Sequence, residues 1–321
     1  MWTGSRPTPP TDISASLTIE RGRVLAVSLL FILNLTPALA SDQAAGAPVS
    51  RSDGKNKSSV ARRAGRVLSE EVRRYGSDAA AMARAPLSWD ASRWQRAAIV
   101  GGVIATAFAA DPSIADAVQR SRSETTDGFS RIVTPFGARR ALNISAAVLL
   151  VGVARRNPDL RDAGRDAVEA SILAGGIITP FMKRAVGRSR PIRERGAYEF
   201  DPFSSNQSFP SGHATNAFAV ASVFAAHSRG WIVPTLAYTL ATGVAVSRMN
   251  DNVHYSSDVL AGAVIGTMTG RAIVARHRRK SKAGAITWQV VPSGRRGILV
   301  QVSLPQNSFH DLRRRLVRGE S

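Results

Sequence analysis

Three short clusters hold the side chains of this sequence best suited to act on a phosphate ester. Lys183 is separated by six residues from Arg190-Pro191, Pro210-Ser211-Gly212-His213 follows, and Ser247-Arg248, His254 and Asp258 complete the set. Hydrolysis of such an ester requires stabilised charge on the non-bridging oxygens, an activated nucleophile and a proton for the leaving alkoxide. Lys183, Arg190 and Arg248 offer three cations, while the Ser211 hydroxyl and the Gly212 N–H offer neutral donors. Two histidines remain for nucleophilic and acid-base work, so this chemistry calls for no metal and no cofactor. His254 and Asp258 stand four apart. On a helix that spacing places both on one face, where the carboxylate holds one ring nitrogen and leaves the other free to attack.

Each cluster also has a plainer reading. A basic loop in a basic protein is usually a solvated charge run. Ser211 before an apolar run fits an ordinary N-cap with His213 in the first turn, and His254 with Asp258 fits a structural pair. Two features favour the chemical reading: the three clusters serve one reaction together, and Lys183 is the only lysine between Lys57 and Lys280.

In order and spacing the three clusters resemble the signature motifs of the type-2 phosphatidic acid phosphatase and vanadium haloperoxidase superfamily. Eleven fixed residues match, within a region of roughly 95 to 276. The resemblance implies that His254 attacks phosphorus, that Asp258 orients it, and that His213 protonates the leaving oxygen and later activates water. It assigns Lys183, Arg190, Ser211, Gly212 and Arg248 to the phosphoryl oxygens. His227, His277 and His310 match no motif position and receive no role. Arg184, Arg188, Arg193 and Arg195 flank the first motif, where they either steer anionic substrates or form a solvated surface. Two alternatives remain: a vanadate-dependent haloperoxidase, and a non-catalytic envelope protein that binds anionic lipid.

The elements that must position these residues read as helices. Six apolar segments, at about 97 to 110, 141 to 154, 167 to 182, 214 to 226, 232 to 246 and 259 to 275, are built from Ala, Gly, Val, Ile and Leu without a period of two. The expected fold is all-α, a bundle of about six core helices over residues 59 to 282. Before it, the apolar positions Val60, Val67, Leu68 and Val72 predict an amphipathic surface helix from Ser58 to Tyr75. After it, Trp288, Val290, Ile298, Val300, Val302 and Leu304 alternate about Pro292-Ser293-Gly294, predicting a β-hairpin within a C-terminal appendix of 283 to 321. The stretch from Phe309 to Arg318 reads as a basic amphipathic helix.

Whether the bundle crosses a membrane is less direct. A span needs about 20 apolar residues, and these segments are shorter. Placing residue 41 outside and letting every segment span puts the first-motif loop in the cytoplasm. The basic loop at 155 to 165 and the cluster from Arg276 to Lys282 demand the opposite. An exported soluble domain reconciles the two, as does a bundle in which one apolar segment does not span. Residues 1 to 40 read as a signal peptide or anchor, with Arg21 and Arg23 before an apolar run that ends in Ala38-Leu39-Ala40, and 41 to 58 as a linker. The expected location is the cell envelope, with the site facing the periplasm. The net charge of +20, from 43 basic and 23 acidic residues, suits phosphorylated small molecules, lipid phosphates or an anionic membrane; an exported chain does not meet nucleic acid. With no cysteine, disulfides and thiolate metal sites are excluded.

Overall fold

The computed structural model describes residues 54–283 and two strands at 287–293 and 297–303. The expected signal segment, the linker as far as residue 53, His310 and the expected C-terminal helix lie outside the described residues.

The core is an all-α bundle. Its helices are α1 (Gly54–Arg84), α2 (Ala91–Arg120), α3 (Glu124–Val133), α4 (Arg139–Ala154), α5 (Pro158–Ala170), α6 (Thr179–Val186), α7 (Gly212–His227), α8 (Ile232–Asn250) and α9 (Ser256–Ala283). A π-helical stretch, Ser171–Ile178, joins α5 to α6. Strands β1 (Thr287–Ser293) and β2 (Gly297–Ser303) pair antiparallel, with Trp288 opposite Val302 and Val290 opposite Val300 as the alternation predicts, but Pro292 and Ser293, read as part of the turn, lie within β1 opposite Ile298 and Gly297. Local chemistry sets several helix ends. The Asp90 side chain accepts from Arg93 N–H at the start of α2, Ser123 and Thr126 form a reciprocal capping box on α3, and Asn157 caps α5 ahead of Pro158. Gly187 ends α6 at φ +59, and a Cβ there would lie 1.8 Å from Asp201 O, so both conformation and space demand glycine.

Helix α7 runs through the centre, with Ala214, Ala217, Ala219, Val220, Ala221 and Val223 buried. Helix α9 lies against it at close range because Gly262, Gly266 and Gly270 form its facing ridge. A Cβ at those positions would sit 2.7 Å from Ser211 O, 2.1 Å from Thr215 O and 2.1 Å from Ser222 Oγ. This small-residue stripe is the device that lets two helix backbones approach, and it fixes the N-termini of α7 and α9 side by side.

Two sequence expectations change here. The first concerns length. The apolar segment at 97 to 110 lies inside the 30 residues of α2, roughly 45 Å of helix, because the chain stays helical through Asp111-Pro112. Helix α2 has a window of mean hydropathy 1.6 that is only 6% buried within the protein, and the first 25 residues of α9 reach 1.3. Both are long and apolar enough to cross a membrane, and α3 with α4 forms a third, bent pair. The second concerns α1, which extends beyond the expected Ser58 to Tyr75. Its predicted apolar residues Leu68 and Val72 remain exposed, whereas Tyr75, Ala79 and Met82 pack on the core and Asp78 is fully buried. The helix docks largely through ions. Asp78 meets Arg276, His277 and Lys280, Arg74 meets Glu169, and Glu71 meets Arg165.

Candidate active site

The three sequence clusters meet at one end of the bundle. Lys183 lies in the last turn of α6 and Arg190 just beyond it. Ser211 to His213 open α7, Ser247 and Arg248 close α8, and His254 and Asp258 flank the start of α9. Ser211 N–H donates to Asp258 O at 3.0 Å, tying the second motif to the third.

The sequence casts Ser211 as a helix cap, and the structure corrects this. Ser211 occupies the N-cap position of α7, but its side chain makes no cap bond. Its Oγ is buried and has no hydrogen-bond partner among the described residues. A buried hydroxyl left unpaired is costly unless something else bonds to it, and here it stands at the positive end of a helix dipole. Gly212 leaves room for nothing larger without pressure, since a Cβ would meet Thr179 Cγ2 at 3.3 Å.

Two histidines face this seat. Burial, reinforced by Arg248, His254, Lys183 and Arg190, lowers His213 to about 4. His254 is likewise lowered to about 4, chiefly by burial and against the raising pull of Asp258. Both imidazoles are therefore neutral near pH 7. His254 Nδ1 faces Asp258 Oδ2 at 3.6 Å, longer than a hydrogen bond, and has no other partner among the described residues; such contacts commonly tighten when substrate binds. A second correction applies. His254 precedes α9 rather than lying on it, and the pairing arises because Asp258 folds back over the helix start. Its Oδ2 accepts from Tyr255 N–H at 2.9 Å and from Ser208 Oγ at 2.6 Å.

The cations are held in place. Lys183 Nζ donates to Gln207 O, and burial together with Arg190 lowers its ammonium to about 8. Arg248 donates through Nη2 to Thr134 Oγ1 at 2.8 Å and to Asp251, while its buried Nε has no partner. Ser247 Oγ is buried and bonded within the protein. It donates to Val244 O at 2.7 Å and contacts Thr134 Oγ1 at 2.9 Å, steadying the residue that holds Arg248.

Arg188 is the residue that sequence reasoning misplaced. Far from being a surface cation, it is completely buried. It donates to Asp258 Oδ1 at 2.8 Å, Ser257 Oγ at 2.8 Å and Asp111 Oδ2 at 2.7 Å. The rings of Tyr255, Phe108 and Phe200 surround its guanidinium. Arg188 thus fixes the carboxylate that faces His254. The sequence signal was Asp111, a lone acid ending an apolar run, which requires a buried cation. Arg184, Arg193 and Arg195 are exposed, as one of the two expectations had it.

A groove of about 630 Å³ adjoins Gly212 and His213, lined by Leu142, Ile172 and Pro180 together with Ser171, Asn216 and the cations Lys183 and Arg184. A family profile described as "PAP2 superfamily" matches residues 167–282. The decaprenylphosphoryl-5-phosphoribose phosphatase of Mycobacterium tuberculosis is 32% identical over 130 residues, covering 40% of this chain and 68% of that one. The chain belongs to the PAP2 superfamily. Other members are similar over shorter stretches. The lipid A 1-phosphatase of Rhizobium etli is 35% identical over 101 residues, which are 30% of this chain and 43% of that relative's length. Among solved structures, a transmembrane PAP2 type phosphatidylglycerolphosphate phosphatase from Bacillus subtilis aligns with a TM-score of 0.42 at 20% identity, over 57% of this chain and 96% of that one.

Proposed function

We propose that this PAP2 protein is a membrane-associated phosphoric ester hydrolase that acts on lipid phosphates through a phosphohistidine at His254. The observation that carries the reading is the unpartnered Ser211 hydroxyl at the α7 N-terminus, set among Lys183, Arg190, Arg248 and two neutral histidines. That is a seat built for a tetrahedral oxyanion and left open for one.

In the proposed sequence the phosphate oxygens bond to the three cations, Ser211 Oγ and Gly212 N–H. His213 gains its proton once the incoming anion offsets the positive neighbours that otherwise lower it. His254 attacks phosphorus through Nε2 as the P–O bond to the lipid breaks, and His213 donates its proton to the departing alkoxide. Asp258 stabilises the positive charge that forms on His254. Water then attacks the phosphohistidine, His213 takes its proton, and inorganic phosphate leaves.

The lipid assignment rests on three supports. The lining of the groove beside His213 is more apolar than polar, with Leu142, Ile172 and Pro180 in it. Helix α2 turns an almost wholly unburied apolar face outward. The named relatives carry lipid-linked phosphates in their names. Orientation follows from charge: Arg276, Arg278, Arg279 and Lys280 end α9 and favour the cytoplasmic side. The start of α9, with Asp258, then faces the periplasm. Purified full-length protein in micelles, given phosphatidic acid or a soluble aryl phosphate with and without chelator, tests this. Chelator-resistant release that favours the lipid and disappears in His254→Ala is expected. Release indifferent to that substitution would refute the mechanism, and preference for the aryl ester would refute the lipid assignment.

A further inference from the structure

Helix α1 carries an apolar stripe that the bundle covers only in part. Leu68, Val72, Tyr75 and Ala79 recur at helical spacing along one face. Tyr75 and Ala79 pack on the core, whereas Leu68 and Val72 continue the stripe uncovered, 42% and 61% exposed. The stretch around them is basic. Between residues 54 and 73 the sequence sets Lys55, Lys57, Arg62, Arg63, Arg66 and Arg73 against Glu70 and Glu71, and Glu71 is already taken up by Arg165 of α5.

An independent observation sets the level at which this helix lies. Asp111 of α2 and Ser257 of α9 meet at the seat end of the bundle, where Ser257 N–H donates to Asp111 Oδ1 at 2.9 Å. From there α2 reaches back to Ala91 and α9 forward to His277, each roughly 30 Å of helix. That length matches the hydrocarbon core of a bilayer. Residue types that favour the membrane–water boundary stand at the far ends of both helices. Trp89 and Trp94 pair edge to face at 5.0 Å around the start of α2, and Leu87 beside them is exposed. Arg276, Arg278, Arg279 and Lys280 close α9. Helix α1 docks at this level, because Asp78 is bonded to Arg276, His277 and Lys280.

We infer that α1 is an interfacial helix that lies on the anionic lipid surface opposite the phosphate seat, with Leu68 and Val72 entering the leaflet and the exposed Arg66 and Arg73 meeting lipid phosphates. The inference rests on the membrane reading proposed above and adds a peripheral contact to it, made by a segment outside the 167–282 family match. A second copy of the chain fits this face less well, since the basic flank of the stripe would meet its own like charge.

The chain has no cysteine, so a single fluorophore can be attached through Val72→Cys, Ser69→Cys or Val103→Cys. Ser69 is exposed beside the stripe, and Val103 is exposed midway along the spanning part of α2. Full-length protein is placed in bilayer nanodiscs of phosphatidylcholine, alone or with roughly a third phosphatidylglycerol. Aqueous iodide and a nitroxide-bearing lipid serve as quenchers, and phosphate release at the parental rate shows that each variant is folded. In anionic discs the Val72 label should be quenched by the nitroxide lipid and protected from iodide about 3-fold or more relative to the Ser69 label. Arg66→Glu with Arg73→Glu should cancel the protection that phosphatidylglycerol adds. Should that double variant fail to fold, raised salt weakens the same attraction in the parent, and protection unmoved by salt overturns the inference. A Val103 label open to iodide would overturn the membrane reading itself. With Val103 protected, a Val72 label as open as that at Ser69 overturns the α1 inference alone. Protection equal in neutral and anionic discs, or protection without nitroxide quenching, overturns it as well, the second outcome assigning the face to protein.

Discussion

Replacing Arg188 by Met tests the view that this buried guanidinium positions the catalytic machinery. Arg188 is the shared counter-ion of Asp111 and Asp258, all three with side chains at 0% exposure. Removing one partner of a buried pair costs about 3–5 kcal/mol, because the remaining charge is stranded. Here two carboxylates are stranded, although Ser256 and Ser257 still bond to Asp111, and Ser208 and Tyr255 N–H to Asp258. The upper end of that range, about 5 kcal/mol, is therefore expected. At about 2–4 °C per kcal/mol for a domain of this size, the melting midpoint should fall by roughly 10–20 °C. Adding Asp111→Leu should recover part of the loss, since one of the stranded charges goes with it. The positioning role has its own signature. Without Arg188 the Asp258 charge acts on His254 unopposed, so His254 becomes more basic and the acid limb of kcat/KM moves up by about one pH unit. Thermal unfolding in micelles and phosphate release between pH 4 and 9 supply both readouts. A variant that melts within about 2 °C of the parent and keeps its acid limb would refute the reasoning.

Ser211→Ala should reduce phosphate release by about 10-fold or more while leaving the melting midpoint unchanged or slightly raised, since it removes a buried hydroxyl that has no partner; steady-state kinetics beside thermal unfolding checks this. Lys183, lowered to about 8, loses its charge as pH rises through that value, so KM should climb above pH 8, and Lys183→Arg should flatten that limb in a pH series. His254, lowered to about 4, must be neutral to attack, whereas His213, also lowered to about 4, must be protonated to donate; kcat/KM of the parent should therefore rise as pH falls from 7 towards about 4 and decline below it. Gly266→Ala places a Cβ 2.1 Å from Thr215 O, so it should force α7 and α9 apart, costing about 1–3 kcal/mol, and release activity should fall with the melting midpoint.

Much of the site was legible because its chemistry is concentrated in short clusters at helix ends. Pro210-Ser211-Gly212-His213 announced the start of α7 by a turn ahead of an apolar run, although Ser211 makes no cap bond, and the only lysine of the central region stood out by its isolation. The fold class was legible for a related reason: six apolar segments without a period of two leave only helices to bury them. Other features depended on what surrounds a residue. Arg188 and Arg184 are four apart in the same basic stretch, yet one is fully buried between Asp111 and Asp258 and the other is exposed. No local pattern separates them, because the partners come from α2 and α9, 77 and 70 residues away.

The length of α2 was hidden by Asp111-Pro112, which reads as an end of the apolar run until Arg188 is seen to neutralise the acid. His277 had no motif, and its neighbours Asp78, Asp166 and Glu169 are scattered over a long stretch of sequence. The sequence by itself determined the motif clusters proposed to carry the reaction and that helices would hold them. The tertiary structure decided which charges are paired, which hydroxyl is left open and which helices reach far enough to span, because burial and partnership are set by packing between distant segments.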